Sequence, residues 1–287
     1  MKPAPFSYRD PRSVEEALQL LAEHGEDAAI LAGGQSLVPL MNFRLATPEV
    51  VVDINRVPGL DGLEVSDDGV RLGSLVRASA VERHGGVRST LPVLPRLLAH
   101  VGHPQIRNRT SIGGSLAHAD PASELPAAAA ALDGSVLLAS RRGERRVAWE
   151  EFFLGPYMTS REPDEMVIEA TLPVPDGLEA DFVEVARRHG DFALVGAFVG
   201  IVRRDGVCAA ARIALCGVAG APIRMRDAEA TLVGEAPEGP RLGRVESAVR
   251  DALDPSDDIH ASGEYRRHVA GVLVRRTLER LWKEGTG

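Results

Sequence analysis

The sequence predicts an α+β protein of two domains, and three observations carry that prediction. Short apolar runs of strand length alternate with helical periodicity as far as residue 172. Pro173-Val174-Pro175-Asp176-Gly177 then interrupts the pattern, because two prolines and a glycine cannot continue a ladder. Beyond it come three longer strand patterns and then three helical ones, the order of an antiparallel sheet followed by helices. A length of 287 residues suits two domains at about 100–200 residues each. The boundaries expected are 1–175, with subdomains of about 1–57 and 58–175, and a smaller 176–287.

Ser13 and Glu16 have capping-box spacing, Val14, Ala17, Leu18 and Leu21 recur on one helical face, and Gly25 supplies the stop. Ala28–Leu31 and residues 50–54 are strand-length runs with a glycine-rich loop and a helical turn between them. Val57-Pro58-Gly59 breaks the chain. Leu63-Glu64-Val65 and Val70-Arg71-Leu72 then predict a hairpin around Ser66-Asp67-Asp68-Gly69. Helices are expected at about 78–85, 89–101 and 122–132, and strands near 135–139, 144–148 and 166–172. In the second domain, strands at about 181–187, 193–203 and 207–217 form a meander, turned in part by Arg204-Asp205-Gly206. Helices at about 225–233, 241–253 and 263–283 close the chain, the last with Tyr265, Val269, Val272, Leu273 and Leu281 as its core stripe.

Hydrophobic content of 44% with 26% charged residues is that of a globular protein. A net charge of −8 argues against nucleic acid as a partner, since phosphate binding needs a basic face. The N-terminus runs directly into Arg9 and Asp10 without an apolar export segment, and the aliphatic run 193–202 is too short to span a bilayer. The expectation is a cytoplasmic protein with no membrane partner. Two cysteines cannot ligate a two-iron iron–sulfur cluster or a typical structural zinc. Cys208 and Cys216 share one strand pattern and would lie about 26 Å apart, so both read as buried free thiols.

Chemistry is expected where glycines crowd beside polar donors. Leu31-Ala32-Gly33-Gly34-Gln35-Ser36-Leu37 follows a strand directly, so its backbone N–H groups and the Gln35 and Ser36 side chains can meet phosphate oxygens; the alternative is a simple tight turn. No dinucleotide G-x-G-x-x-G or P-loop pattern is present. The second segment is denser, running Ile106-Arg107-Asn108-Arg109-Thr110-Ser111-Ile112-Gly113-Gly114-Ser115 and on to Asp120-Pro121 and Glu124. Hydroxyls and exposed amides suit a pyrophosphate, while a carboxylate accepts from ribose hydroxyls or ring N–H groups. Asp120 also has a turn or capping role open to it.

With these flanks, the two Gly-Gly segments resemble the FAD-binding medium subunit of the xanthine dehydrogenase and carbon monoxide dehydrogenase family. The likeness runs from Phe6-x-Tyr8 and Pro11-x-Ser13-x-x-Glu16-Ala17-Leu18 to Asp257-Asp258 and Tyr265-Arg266-Arg267. It implies a PCMH-type FAD-binding region of two subdomains, a C-terminal domain of antiparallel sheet plus helices, and an extended FAD between them. Ala32 to Leu37 and Ser111 to Ser115 would hold the pyrophosphate, with Leu31, Ile106, Thr110 and Ile112 flanking them. Val101, Glu124 and Val167 would lie around the adenosine and flavin ends, and Phe192 near the isoalloxazine, where the alternative is a core phenylalanine. Glu124 stands where relatives commonly have aspartate, and Val183-Glu184-Val185 where they often carry a lysine; Arg187, Arg188 or His189 are the cations at hand to replace it. The FAD would be non-covalent. The 2Fe–2S clusters and molybdenum cofactor would belong to a small iron–sulfur subunit and a large molybdenum subunit. No catalytic base or nucleophile is expected here, since His103 and His118 lack a partner pattern. Two other readings stay open, a stand-alone flavoenzyme and a cofactor-free scaffold.

Overall fold

A computed structural model describes residues 2–284. The first unit contains β1 (Ser7–Arg9), α1 (Val14–His24), β2 (Ala28–Leu31), α2 (Leu37–Asn42) and β3 (Val50–Asp53). Its three strands are parallel, in the order β1-β3-β2. The cap at Ser13 works in both directions. Its hydroxyl accepts from the Glu16 N–H at 3.1 Å, and the Glu16 carboxylate accepts from the Arg12 N–H at 2.6 Å. Ala17, Leu18 and Leu21 of α1 are buried together with Val50 and Val52 of β3. Strand β1 gives no periodic signal because all three of its residues are exposed.

The second unit starts with the hairpin β4 (Leu63–Ser66) and β5 (Gly69–Gly73). Six short helices follow: α3 (Ala78–Arg83), α4 (Gly85–Thr90), α5 (Val93–Leu98), α6 (Pro104–Arg107), α7 (Ile112–His118) and α8 (Glu124–Ala131). The chain continues through β6 (Ser135–Ser140), β7 (Gly143–Ala148), α9 (Trp149–Phe152), β8 (Phe153–Gly155), β9 (Met158–Thr159) and β10 (Met166–Pro173). Strand β10 returns to the middle of an antiparallel sheet ordered β4-β5-β10-β6-β7, while β8 and β9 pair separately. The single helix expected at 89–101 is instead α4 and α5. Pro92 lacks an N–H and forces Leu91 out of the helical region, to φ −136° and ψ 66°.

The third unit is the meander β11 (Leu178–Ala186), β12 (Ala193–Arg204), β13 (Val207–Cys216) and β14 (Ile223–Arg224), with α10 (Arg226–Ala230), α11 (Pro240–Asp251) and α12 (Gly263–Glu284). Both faces of its sheet are covered. Phe182, Phe198, Ala214 and Cys216 join the core of α5 and α8, whereas Val195, Val199, Ile201 and Ile213 join that of α10 to α12. This double burial is why 193–202 reads as a continuous apolar run.

The stripe expected on α12 is corrected in part. Leu281 is buried as expected and half-buried Val269 and Leu273 pack against the core, but Tyr265 is exposed and Val272 only half-buried, and the inward residues also include Arg266, Ala270, Gly271, Val274, Thr277 and Leu278. Helix α11 comes so close that a Cβ on Gly271 would lie 2.8 Å from Arg250 Cγ. Small and polar residues therefore share this face with Val274, Leu278 and Leu281, and apolar spacing alone does not reveal them. Both cysteines are free and buried. A bulge in the β12–β13 pairing places Cys208 in the core facing α10 to α12 and Cys216 in the other. Among the described residues no helix is long and apolar enough to cross a membrane.

Candidate functional site

The two glycine-rich segments meet where the three units converge. A Cβ on Gly33 would lie 2.4 Å from the Arg109 carbonyl oxygen, so only glycine lets the segments touch. Among the described residues, the N–H groups of Gly33, Gly34, Gln35 and Ser36 donate to no protein acceptor. The expected role of the Gln35 side chain is corrected in part, since its Nε2 folds back onto the Gly33 carbonyl at 3.2 Å. The first loop therefore offers backbone donors in succession, the arrangement that receives phosphate oxygens.

The second segment is the first turn of α7, with Ser111 at its N-cap. The Ile112 and Gly113 N–H groups donate to the Val76 and Ser74 carbonyls at 2.9 and 3.0 Å, fixing the turn against the chain leaving β5. The paired glycines do different work. A Cβ on Gly113 would stand 2.7 Å from Ser74 Cα, inside the fold, whereas one on Gly114 would meet the Ser111 Oγ at 2.6 Å and the Ala32 Cβ only at 3.8 Å. Gly113 thus permits packing, and Gly114 faces the first loop. The Ser74 and Ser111 hydroxyls are buried with no protein partner, a state that calls for a bound polar group.

A clamp behind the two segments escaped the sequence reading. Asn55 Nδ2 donates to the Ala32 carbonyl at 2.8 Å. Arg77 Nη1 donates to the Arg109 carbonyl at 2.7 Å, and its Nη2 donates to Asn55 Oδ1. One guanidinium and one amide therefore tie the first loop to the residues preceding α7. Burial lowers the Arg77 pKa from its ordinary value.

The two segments border a cleft of about 560 Å³. Of the expected site residues, Ala32, Gly33, Gly34, Gln35, Ser36, Leu37, Val101, Ile106, Thr110, Ser111, Gly113, Gly114, Ser115, Glu124, Val167 and Phe192 all line it. Leu31 and Ile112 do not. Leu31 ends β2 half-buried, and Ile112 is wholly buried in the core. Phe192 is 73% exposed, which excludes the core-phenylalanine alternative. Asp120 takes the turn role through the Ala122 N–H at 2.9 Å while also lining the cleft. Arg187, Arg188 and His189 are exposed and do not line it. The cation that does is Arg161, missed in the sequence, whose Nη1 donates to the Glu165 carbonyl at 2.8 Å.

Glu124, the first residue of α8, is 6% exposed. Burial, reinforced by Glu184 and Asp120, pushes its pKa from 4.5 up to about 8. Glu184 in turn meets His100 Nδ1 at 3.2 Å and raises the pKa of that imidazole. An acid with a raised folded-state pKa stabilises the fold fully below its unfolded pKa, and that contribution is lost as pH rises through the folded one. Stability should therefore decline from about pH 4.5 to about pH 8, by on the order of 3 kcal/mol at neutral pH. Glu124→Gln is expected to raise the melting temperature of the flavin-free chain by about 6 °C at neutral pH and to leave it unchanged near pH 4.5. Thermal scans across that range check it; an equal shift at both pH values would show that packing, not the buried acid, is responsible.

Residues 4–175 match the family described as the FAD binding domain in molybdopterin dehydrogenase, and residues 180–281 match the CO dehydrogenase flavoprotein C-terminal domain. The chain belongs to the FAD-binding subunits of the molybdenum hydroxylases. It is 43% identical to the 6-hydroxypseudooxynicotine dehydrogenase complex subunit alpha of Paenarthrobacter nicotinovorans, over 97% of this chain and 95% of that one. It is 42% identical to caffeine dehydrogenase subunit beta of a Pseudomonas strain, over 98% and 96%. Among solved structures, quinoline 2-oxidoreductase from Pseudomonas putida superposes with a TM-score of 0.94 at 37% identity, covering 99% of both chains.

As a molybdenum hydroxylase flavoprotein, this is the electron-transferring medium subunit of a multi-subunit oxidoreductase, with the iron–sulfur and molybdenum cofactors on other subunits. The residues present fit FAD. The unbonded amides of 33–36 and the orphaned Ser74 and Ser111 hydroxyls supply donors, and Gly114 leaves the space between the two segments clear.

Proposed function

We propose that this subunit holds FAD non-covalently across the cleft, taking electrons from clusters on a small iron–sulfur subunit and passing them to an external acceptor. The single observation that carries the reading is the pair of glycine segments clamped face to face, with free amides and unpartnered hydroxyls between them. Ala32 to Leu37 bind the pyrophosphate together with Ser111, Gly114 and Ser115, while Ile112 and Gly113 hold the second segment in place. Glu124, Val101 and Val167 line the course of the cofactor, and Phe192 offers an aromatic face at the mouth. Bound FAD supplies the redox chemistry, while the chain supplies position, dielectric and access. The division into 1–175 and 176–287 and residence in the cytoplasm belong to the same proposal.

The relatives named above act, by their names, on caffeine, quinoline and 6-hydroxypseudooxynicotine. We assign the complex to hydroxylation of nitrogen heterocycles, at a molybdenum centre on the large subunit. A tagged chain purified from its native host is expected to bring iron and molybdenum with it. Acid precipitation should release its flavin to the supernatant as FAD, and the isolated chain should hydroxylate no heterocycle. An iron-free, molybdenum-free isolate turning over its substrate at full rate would establish the stand-alone flavoenzyme instead, flavin held in the pellet would refute non-covalent binding, and a colourless preparation would favour the scaffold.

A further inference from the structure

We propose that Glu124 meets bound FAD as a neutral carboxylic acid and donates a hydrogen bond to it. The inference rests on the FAD reading of the cleft and adds the protonation state in which one of its residues works. Glu124 lines the cleft while being almost completely buried, so water cannot solvate a charge there. Among the described residues no Lys, Arg or His forms an ion pair with it.

The titratable groups that act on it lie on four segments; its own backbone N–H and His100 favour the charged form, but burial outweighs both. Glu184, on β11, is itself 4% exposed at the side chain, and its Oε2 is buried without a partner. Asp120, in the turn before α8, is committed to the Ala122 N–H. Cys216, on β13, is a fully buried thiol whose pKa is driven up by burial and by these carboxylates. His100, just beyond α5, is already bound to Glu184 Oε1. A carboxyl buried without a cationic partner, with further carboxyls nearby, holds its proton in preference to a bare charge. Glu184 has His100 as its partner, whereas Glu124 is buried with no cation of its own, so Glu124 is the acid that keeps a proton. The α8 N-terminus offsets only part of a charge at this position.

The distinction is chemical. A carboxylate only accepts hydrogen bonds, whereas the acid donates one to an oxygen or ring nitrogen that no carboxylate could approach. Losing the proton removes the donor and leaves a bare charge against an acceptor, so FAD binding and protonation are linked.

The test titrates the full-length, flavin-free chain with FAD between about pH 6 and pH 9, with calorimetry in two buffers of different ionisation heat to count protons. The wild type should hold a constant Kd at the acid end, then weaken by up to tenfold per pH unit at the alkaline end, taking up close to one proton per FAD there. Glu124→Gln retains a donor but has no proton to lose. It should bind within about threefold of wild type at neutral pH, with no pH dependence and no proton uptake. A Gln variant that folds normally yet binds more than tenfold more weakly at neutral pH would overturn the proposal by showing that a carboxylate acceptor is needed. So would a wild type whose affinity is flat and proton-neutral throughout.

Discussion

Replacing Gly114 by valine is expected to abolish FAD binding while leaving the fold in place. A Cβ at this position meets only the Ser111 hydroxyl, at 2.6 Å, a group that can rotate away, and beyond it lies the space facing Ala32. The isopropyl group would occupy the gap between the two segments, where the pyrophosphate is proposed to lie. Valine is also a better helix residue than glycine, so α7 itself should not suffer. Flavin content should fall below a tenth of wild type with an unchanged circular dichroism spectrum. Gly113→Ala is the contrasting control, because its methyl would press on Ser74 Cα at 2.7 Å and so cost about 1–3 kcal/mol of stability through overpacking. Full flavin content in a folded Gly114→Val protein would mean that this segment is only a turn.

That contrast marks how far the site could be read from the sequence. Adjacent glycines announce a close approach, but not whether the neighbour is a ligand or the chain's own backbone; only the fold separates Gly114 from Gly113. The helix signal at Ser13 was legible because its determinants are local, a hydroxyl and a carboxylate within one turn. The break at Pro92 is equally local but is concealed, because the apolar spacing on either side continues in helical period. The inward face of α12 was illegible for another reason: Gly271 is placed by the close approach of Arg250 and Glu246 on α11, a partner far away in sequence. Arg77, Asn55 and Arg161 belong with it. Each is an ordinary polar residue in its own segment and becomes a site residue only when distant backbone carbonyls or the cleft arrive beside it.

Arg77→Met should weaken FAD binding by about 10- to 100-fold, although Arg77 is proposed to act by positioning and not by touching the cofactor. The substitution removes the donor to the Arg109 carbonyl and the link to Asn55, two bonds worth about 1–1.5 kcal/mol each. The backbone of Arg77 pairs with Ser111 in an isolated bridge, and Ala78 N–H donates to the Thr110 carbonyl at 3.0 Å, so the main-chain frame survives the change. What is lost is the tie that keeps the first loop's free amides facing α7. Asn55→Ala should produce a similar loss, by releasing the Ala32 carbonyl. Because the two residues act through one linkage, the double variant should be scarcely worse than either single one, a coupling of about 1.4–2.7 kcal/mol in a double-mutant cycle. Measured by FAD titration, fully additive losses would show that each side chain supports its own loop independently, and an unchanged Kd in Arg77→Met would show that the segments hold their facing without the clamp.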